Sequence, residues 1–244
     1  MRQVTIMGFP FLHTDQQSFH TLLDQRIEQQ QKTFVITANP EIVMQAREDQ
    51  RLMRVVDRAT YIIADGIGIV KASHILNKPL PERVTGYDTM IKLLSLANKK
   101  QYTVFLLGAT KHTLELTKNN IRSTYPNVEI VGSHDGYFDS DNNTIAEEIA
   151  EVQPDIVLVA LGVPKQEKWI ADNLDKFDKG IFIGVGGSFD VLAGTVKRAP
   201  ISWQRLNLEW FYRLLQQPSR WRRMNVLPRF LIEVFKEKWK FNKG

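Results

Sequence analysis

The sequence contains no cysteine. That excludes a disulfide framework, a thiolate zinc site and a cysteine nucleophile, and it fits a reducing cytoplasm. Long hydrophobic runs are missing too. No stretch approaches the roughly 18 apolar residues of a membrane span, and the longest, 156–164, reads as a buried strand. Residues 1–11 are too short and too polar for a signal peptide. These absences predict a chain kept inside the cell, soluble or peripheral to a membrane. Histidine is scarce: the five present show no i, i+4 pair and no metal-ligand spacing. Asp139-Ser140-Asp141 spells an acidic triplet of the kind that holds a metal in many sugar-nucleotide transferases. It sits in a turn-like segment and reads better as capping, so no metal site and no cofactor are expected. Internal repeats and low-complexity segments are also lacking.

What remains is a chain of 244 residues with 43% hydrophobic content. That is enough for one large domain, or one domain with a small appendage, and for a core that needs no cross-links. The charge is uneven. Residues 1–194 carry 20 Lys/Arg against 24 Asp/Glu, whereas residues 195–244 carry 12 against 3. A near-neutral body therefore bears a basic tail suited to nucleic acid, an anionic membrane or a phosphorylated ligand.

Up to Gly194 strand-like and helix-like segments alternate. Apolar runs at 4–8, 34–37, 61–64, 103–108, 128–132, 155–162 and 180–186 read as strands. The intervening segments of about 10–15 residues read as helices. Asn39 and Thr110 stand where N-caps belong, and Pro40 and Pro164 stand at helix starts. Continuous β-branched runs separated by helices predict a doubly wound α/β fold, with a mainly parallel sheet covered on both faces. In such folds ligands sit beyond the carboxyl ends of the strands. Five polar or glycine-rich loops fall there: 37–40, 64–66, 108–110, 162–167 and 184–188. After Gly194 the texture changes. Segments 206–217 and 227–239 read as amphipathic helices with basic remainders and aromatic residues, a pattern suited to a membrane interface. The expected organisation is a catalytic core over 1–194 and a basic helical appendage over 195–244.

Several residues could carry chemistry. Asp65 ends a strand and precedes Gly66-Ile67-Gly68, which suits a general base approached closely by substrate; it equally suits an N-cap. The glycine-rich loop Gly184-Val185-Gly186-Gly187-Ser188 could cradle phosphate or form a tight turn. Asp190 could meet a ribose or a base, or cap a helix. Arg83, Arg213, Arg220, Arg222 and Arg223 offer guanidinium forks for a diphosphate, or a solvated basic surface.

Together the motifs resemble the WecG/TagA/CpsF family of glycosyltransferases, most closely its TagA-type branch. The matching segments run in order from Thr37-Ala38-Asn39-Pro40-Glu41 through Ala64-Asp65-Gly66-Ile67-Gly68, Arg83-Val84-Thr85-Gly86, Leu107-Gly108-Ala109, His134-Asp135-Gly136-Tyr137, Gly162-Val163-Pro164-Lys165-Gln166-Glu167, Gly184-Val185-Gly186-Gly187 and Lys197-Arg198-Ala199-Pro200 to Asn207-Leu208-Glu209-Trp210. His134-Asp135-Gly136 departs slightly from the His-His-Gly of many relatives. The resemblance implies a Rossmann-like core, a membrane-binding appendage, and inverting, metal-independent transfer. It implies a UDP-sugar donor, an undecaprenyl-diphosphate-linked GlcNAc acceptor at the inner face of the membrane, and a place in making the teichoic acid linkage unit. By the same resemblance Asp65 is the catalytic base, and Thr37, Asn39, Arg83 and Gln166 line the sugar and acceptor pocket. Tyr137, Gly186 and Asp190 correspond to nucleotide-contacting positions, and Arg213, Arg220 and Arg223 to groups closing over the donor diphosphate. The donor sugar is N-acetylmannosamine in this reading, with its uronic acid as the alternative.

Two other classes compete. A nicotinamide-dependent oxidoreductase would carry its glycine fingerprint on the first βα turn, whereas here that turn follows the last strand. A non-enzymatic adaptor for membrane or nucleic acid needs only the basic tail, and neither Asp65 nor the polar rim. An anionic membrane surface is the expected partner and nucleic acid is not; a homo-oligomer remains open.

Overall fold

Consecutive apolar residues become buried strands, and the polar segments between them become helices. The computed structural model describes residues 1–138, 144–218, 221 and 225–241. A hairpin of β1 (Gln3–Ile6) and β2 (Phe9–Leu12) comes first, then α1 (Gln16–Glu28), β3 (Thr33–Ala38), α2 (Pro40–Glu48), α3 (Gln50–Asp57) and β4 (Tyr61–Ala64). Next come α4 (Ile67–Ile75), α5 (Gly86–Lys100), β5 (Thr103–Gly108), α6 (Lys111–Thr124), β6 (Glu129–His134), α7 (Thr144–Val152) and β7 (Ile156–Ala160). The chain closes with α8 (Lys165–Asn173), β8 (Ile181–Gly184), α9 (Ser188–Leu192), α10 (Ile201–Arg205), α11 (Glu209–Gln216) and α12 (Val226–Phe241).

Six strands form one parallel sheet in the order β4-β3-β8-β7-β5-β6. The expected α/β class is therefore observed. One expected strand changes place: the run at 4–8 pairs antiparallel with β2 and stays outside the main sheet. The reason is local. Met7 and Gly8 both adopt positive φ, +53° and +87°, and such a pair turns the chain straight back on itself. The hairpin then packs its phenylalanines, Phe9 and Phe11, into the core, with β2 against β4.

Strand residues alternate between two apolar cores. Phe34, Ile36, Phe105 and Leu107 face one, together with residues of α2, α3, α4, α7 and α8. Val35, Val104 and Leu106 face the other, together with residues of α1, α5 and α6. The strands β3, β7 and β8 are buried along their whole length, as the interior of a two-sided parallel sheet requires. Helix starts are fixed by side chains. Asn39 Oδ1 accepts from Glu41 and Ile42 N–H at 2.9 and 3.2 Å, and Thr110 Oγ1 accepts from Thr113 N–H. Thr85 Oγ1 accepts from Asp88 N–H at 3.0 Å and donates to Asp88 Oδ2 at 2.7 Å.

Helix α12 divides its apolar stripe between two surroundings. Phe230 and Val234 are buried in the core beside α2 and α4, whereas Leu231, Ile232, Phe235 and Trp239 are exposed. Arg47 of α2 bridges to Glu233 and Glu237 of α12 at 3.4 and 3.8 Å. No helix among the described residues is long and apolar enough to cross a membrane.

Candidate active site

The carboxyl ends of β4, β3, β8 and β7 lie side by side, and the predicted loops meet there. Asp65 follows β4 directly. It does not cap α4: the N-cap is Gly66, with no side-chain hydrogen bond. Its backbone N–H donates to Ala38 O at 3.0 Å, which ties the end of β4 to the end of β3. The carboxylate Oδ1 accepts from Gly86 N–H at 2.9 Å. Gly86 is the first residue of α5, so Asp65 sits at a positive helix terminus. The loop before α5 is anchored beside β4 by Val84 N–H to Ala64 O at 3.0 Å. That anchor brings Arg83 onto the rim.

Although Asp65 keeps some contact with solvent, the surrounding protein is the stronger influence. Burial raises its pKa above the ordinary 3.8; the Gly86 N–H and the charges of Arg83 and Arg213 oppose the rise, and the Glu209 charge adds to it. A carboxylate so placed is a stronger base than a solvated one. Gly66 permits the tight approach of the neighbouring turn, because a Cβ there would press on Pro40 Cδ at 2.9 Å and Asn39 Cβ at 3.2 Å.

On β3, Thr37 is buried and its Oγ1 donates to Gly184 O at 2.8 Å. Asn39 spends its Oδ1 on capping α2. Gln166 is fully buried at the start of α8, where its Oε1 accepts from Gly186 N–H at 3.0 Å and its Nε2 donates to Glu167 Oε1 at 2.8 Å. The Gln166 side chain therefore braces the glycine loop from behind. A Cβ at Gly184 would collide with the Gln166 amide, so any larger residue there must displace that side chain. Glu167 is buried as well, and burial raises its pKa to about 7. Its Oε2 has no hydrogen-bond partner, which suits the protonated, neutral form.

The rest of the expected set lies elsewhere or outside view. Asp190 stands in the first turn of α9, so it is not that helix's N-cap. Its carbonyl accepts from Val196 N–H and Thr195 Oγ1, and α9 packs against α6, on the β5 side of the rim. Tyr137 is strongly exposed beyond β6. That is the edge opposite β4, five strand spacings or roughly 24 Å across the sheet. Arg220, Arg222 and Arg223, and the triplet 139–141, fall outside the described residues.

Arg213 does reach the site, and it does not arrive alone. Glu209 Oε2 accepts from Arg83 Nη2 at 3.2 Å. Glu209 Oε1 lies 3.6 Å from Arg198 Nε and 3.7 Å from Arg213 Nη2. Arg198 in turn bridges to Asp88 at 2.7 Å and lies over the Tyr87 ring at 4.4 Å. Sequence reasoning gave no role to Glu209 or Arg198 beyond their motifs. The available signal was charge: Glu209 is the one acidic residue between 195 and 232, and a lone acid among arginines is seldom unpaired.

The sequence as a whole has known relatives. A model described as the glycosyl transferase WecG/TagA/CpsF family matches residues 4–244. The chain belongs to the WecG/TagA/CpsF glycosyltransferase family. It is 44% identical, over 97% of its length, to the N-acetylglucosaminyldiphosphoundecaprenol N-acetyl-beta-D-mannosaminyltransferase of Bacillus subtilis strain 168, and covers 93% of that protein. The protein of the same name from Bacillus spizizenii W23 is 40% identical, over 97% of this chain and 92% of the relative. That of Staphylococcus aureus MW2 is also 40% identical, over 86% of this chain and 83% of the relative. The rim of this glycosyltransferase brings together a carboxylate, Asp65, and a guanidinium cluster, Arg83, Arg198 and Arg213. Those are the two kinds of group a sugar transfer needs, one to take a proton and one to meet departing phosphate.

Proposed function

We propose that this glycosyltransferase moves N-acetylmannosamine from a UDP donor to the C4 hydroxyl of GlcNAc on diphospho-undecaprenol, with inversion and without a metal ion, to form the teichoic acid linkage unit. The names of the relatives support the sugar and the acceptor. The observation that carries the mechanism is Asp65: a carboxylate of raised proton affinity, pinned through Oδ1 by Gly86 N–H and faced by Arg83 and Arg213.

Inversion requires one in-line displacement. The acceptor hydroxyl is a poor nucleophile until a base removes its proton, and the Oδ2 edge of Asp65 is the one left to do so. The oxygen then bonds to the sugar's anomeric carbon as the bond to the UDP β-phosphate breaks. Arg83 and Arg213 supply positive charge where the phosphate becomes more negative. The Gln166-braced loop at Gly186, with Asp190 and Tyr137 along the rim towards β6, would carry the nucleotide. Thr37 and Asn39 would back the sugar.

Membrane association belongs to the same reading. Ile201, Leu206, Leu215 and Trp221 are exposed in the tail, and α12 exposes Leu231, Ile232, Phe235 and Trp239. Apolar side chains of this size among arginines and lysines suit an anionic lipid surface.

The test pairs UDP-N-acetylmannosamine and its uronic acid with a short-chain GlcNAc-diphosphate lipid. The expected product is an N-acetylmannosaminyl disaccharide from the first donor, β-linked when read by NMR and formed equally well with chelator present. Transfer of the uronic acid alone, or no transfer, would overturn the proposal.

A further inference from the structure

In a tail dominated by arginine and lysine, the informative charge is negative. Glu209 opens α11 and is almost fully buried. Three guanidiniums converge on its two oxygens within 4 Å: Arg83 from the core loop, Arg198 from the segment before α10, and Arg213 from its own helix. Three cations at this spacing repel one another strongly in a partly buried setting. One anion among them is what keeps them together. The cluster also has donors to spare, because Arg198 Nε and Arg213 Nε are buried without a hydrogen-bond partner.

We propose that Glu209 is a positioning residue: it gathers Arg83, Arg198 and Arg213 at the rim and so holds the cationic groups of the reaction opposite Asp65. This rests on the reading of Asp65 as base and of the arginines as leaving-group donors. The contacts divide the labour. Arg198 is fixed independently by Asp88 and by the Tyr87 ring, so it serves as the anchor. Arg83 is held by Glu209 in a true hydrogen bond at 3.2 Å. Arg213 touches Glu209 only at 3.7 Å, beyond hydrogen-bond reach. It is therefore the fork free to turn towards a phosphate oxygen while Glu209 stays with Arg83. Glu209 also joins α11 to the loop before α5, so the same contact sets the tail against the catalytic rim.

The experiment uses the full-length chain and compares E209Q and E209D with wild type. It measures kcat, KM for the UDP-sugar, the pH dependence of kcat/KM, and thermal unfolding. The groups facing Asp65 are the Gly86 N–H on α5, Arg83 on the preceding loop, and Arg213 and Glu209 on α11. Neutralising Glu209 removes the one negative charge in that set. E209Q is expected to lower kcat on the order of 10²-fold through misplaced arginines, and to move the acid limb to higher pH, because Arg83 and Arg213 hold the Asp65 pKa down more strongly than Glu209 raises it. E209D keeps the charge, so its acid limb should stay at the wild-type position while kcat falls less. A rate loss in E209Q with an unmoved acid limb would mean a merely structural contact and overturn the proposal. So would wild-type kinetics in both variants. Should E209Q not fold, E209D decides alone: a lower kcat with a wild-type thermal midpoint supports the role, and wild-type kcat, or a kcat loss matched by a lowered midpoint, refutes it. The underlying reading fails separately, through wild-type protein that transfers no sugar or Asp65→Asn protein that keeps full turnover.

Discussion

At the scale of single residues, the site is a set of charges tuned by their neighbours. In the proposed base role Asp65 must be ionised to accept a proton, and burial makes ionisation harder than in water. The acid limb of kcat/KM against pH should therefore fall above the ordinary aspartate value of 3.8, with activity rising as pH climbs through it. An acid limb at or below that value would remove Asp65 from the base role. The same tuning has a cost in stability. A carboxyl whose folded-state pKa is raised favours folding most at low pH and loses that contribution as pH rises through its folded-state pKa. Neutralising it should therefore not lower the thermal midpoint near neutral pH, and a clear drop for Asp65→Asn would contradict this. Arg213 carries the complementary expectation. Arg213→Ala should cost roughly 10²–10³-fold in kcat, the usual effect of losing one anion-stabilising donor, with far less change in donor KM. A KM effect alone would make Arg213 a binding group only.

At the scale of elements, the glycine loop after β8 is held by the start of α8. Gln166 fastens Gly186, and Gly184 leaves the room that this contact needs. Gly184→Ala should displace the Gln166 side chain, lower stability by about 1–3 kcal/mol as overpacking does, and weaken UDP binding in a titration; unchanged binding and melting would refute the brace. Glu167, next in the helix, gives a pH signature. Its folded pKa is raised from 4.5 to about 7. Its contribution is complete below pH 4.5 and is lost as pH rises through 7, on the order of 3 kcal/mol for a shift of this size. Glu167→Gln should therefore gain stability relative to wild type on going from pH 5 to pH 8, and parallel pH–stability curves would contradict this. Much of this scale was legible in the sequence. The buried runs, the Asn39 and Thr110 caps and the strand-end loops follow from periodicity and capping chemistry. The hairpin at Met7-Gly8 was not, because methionine at positive φ leaves no compositional signal. Nor was the start of α5, where Thr85 and Gly86 entered only as part of a family motif and only tertiary packing brings the Gly86 N–H to Asp65. The Glu209 knot joins residues 126 apart in sequence, a distance over which pattern reading has no reach.

At the scale of the whole molecule, the sheet and its covering helices come before residue 195, whereas Glu209 and Arg213 come after it. Removing residues 195–244 should thus leave a folded core with little transferase activity. Loss of Phe230 and Val234 from the α2 and α4 surface removes roughly 1.5–3 kcal/mol each, so the truncated core should melt earlier but still cooperatively. Binding to anionic liposomes should fall with the deletion, in a salt-dependent way; undiminished binding would place the lipid contact elsewhere. In the proposed mechanism the work is divided between a sheet rim that holds Asp65 and Arg83 and a basic tail that adds Arg213. The most direct test of that division is single-turnover transfer by full-length Asp65→Asn, with UDP-sugar affinity measured on the same protein. The account predicts donor binding within a few-fold of wild type and transfer slowed on the order of 10²–10⁴-fold. Transfer within a few-fold of the wild-type rate would contradict it.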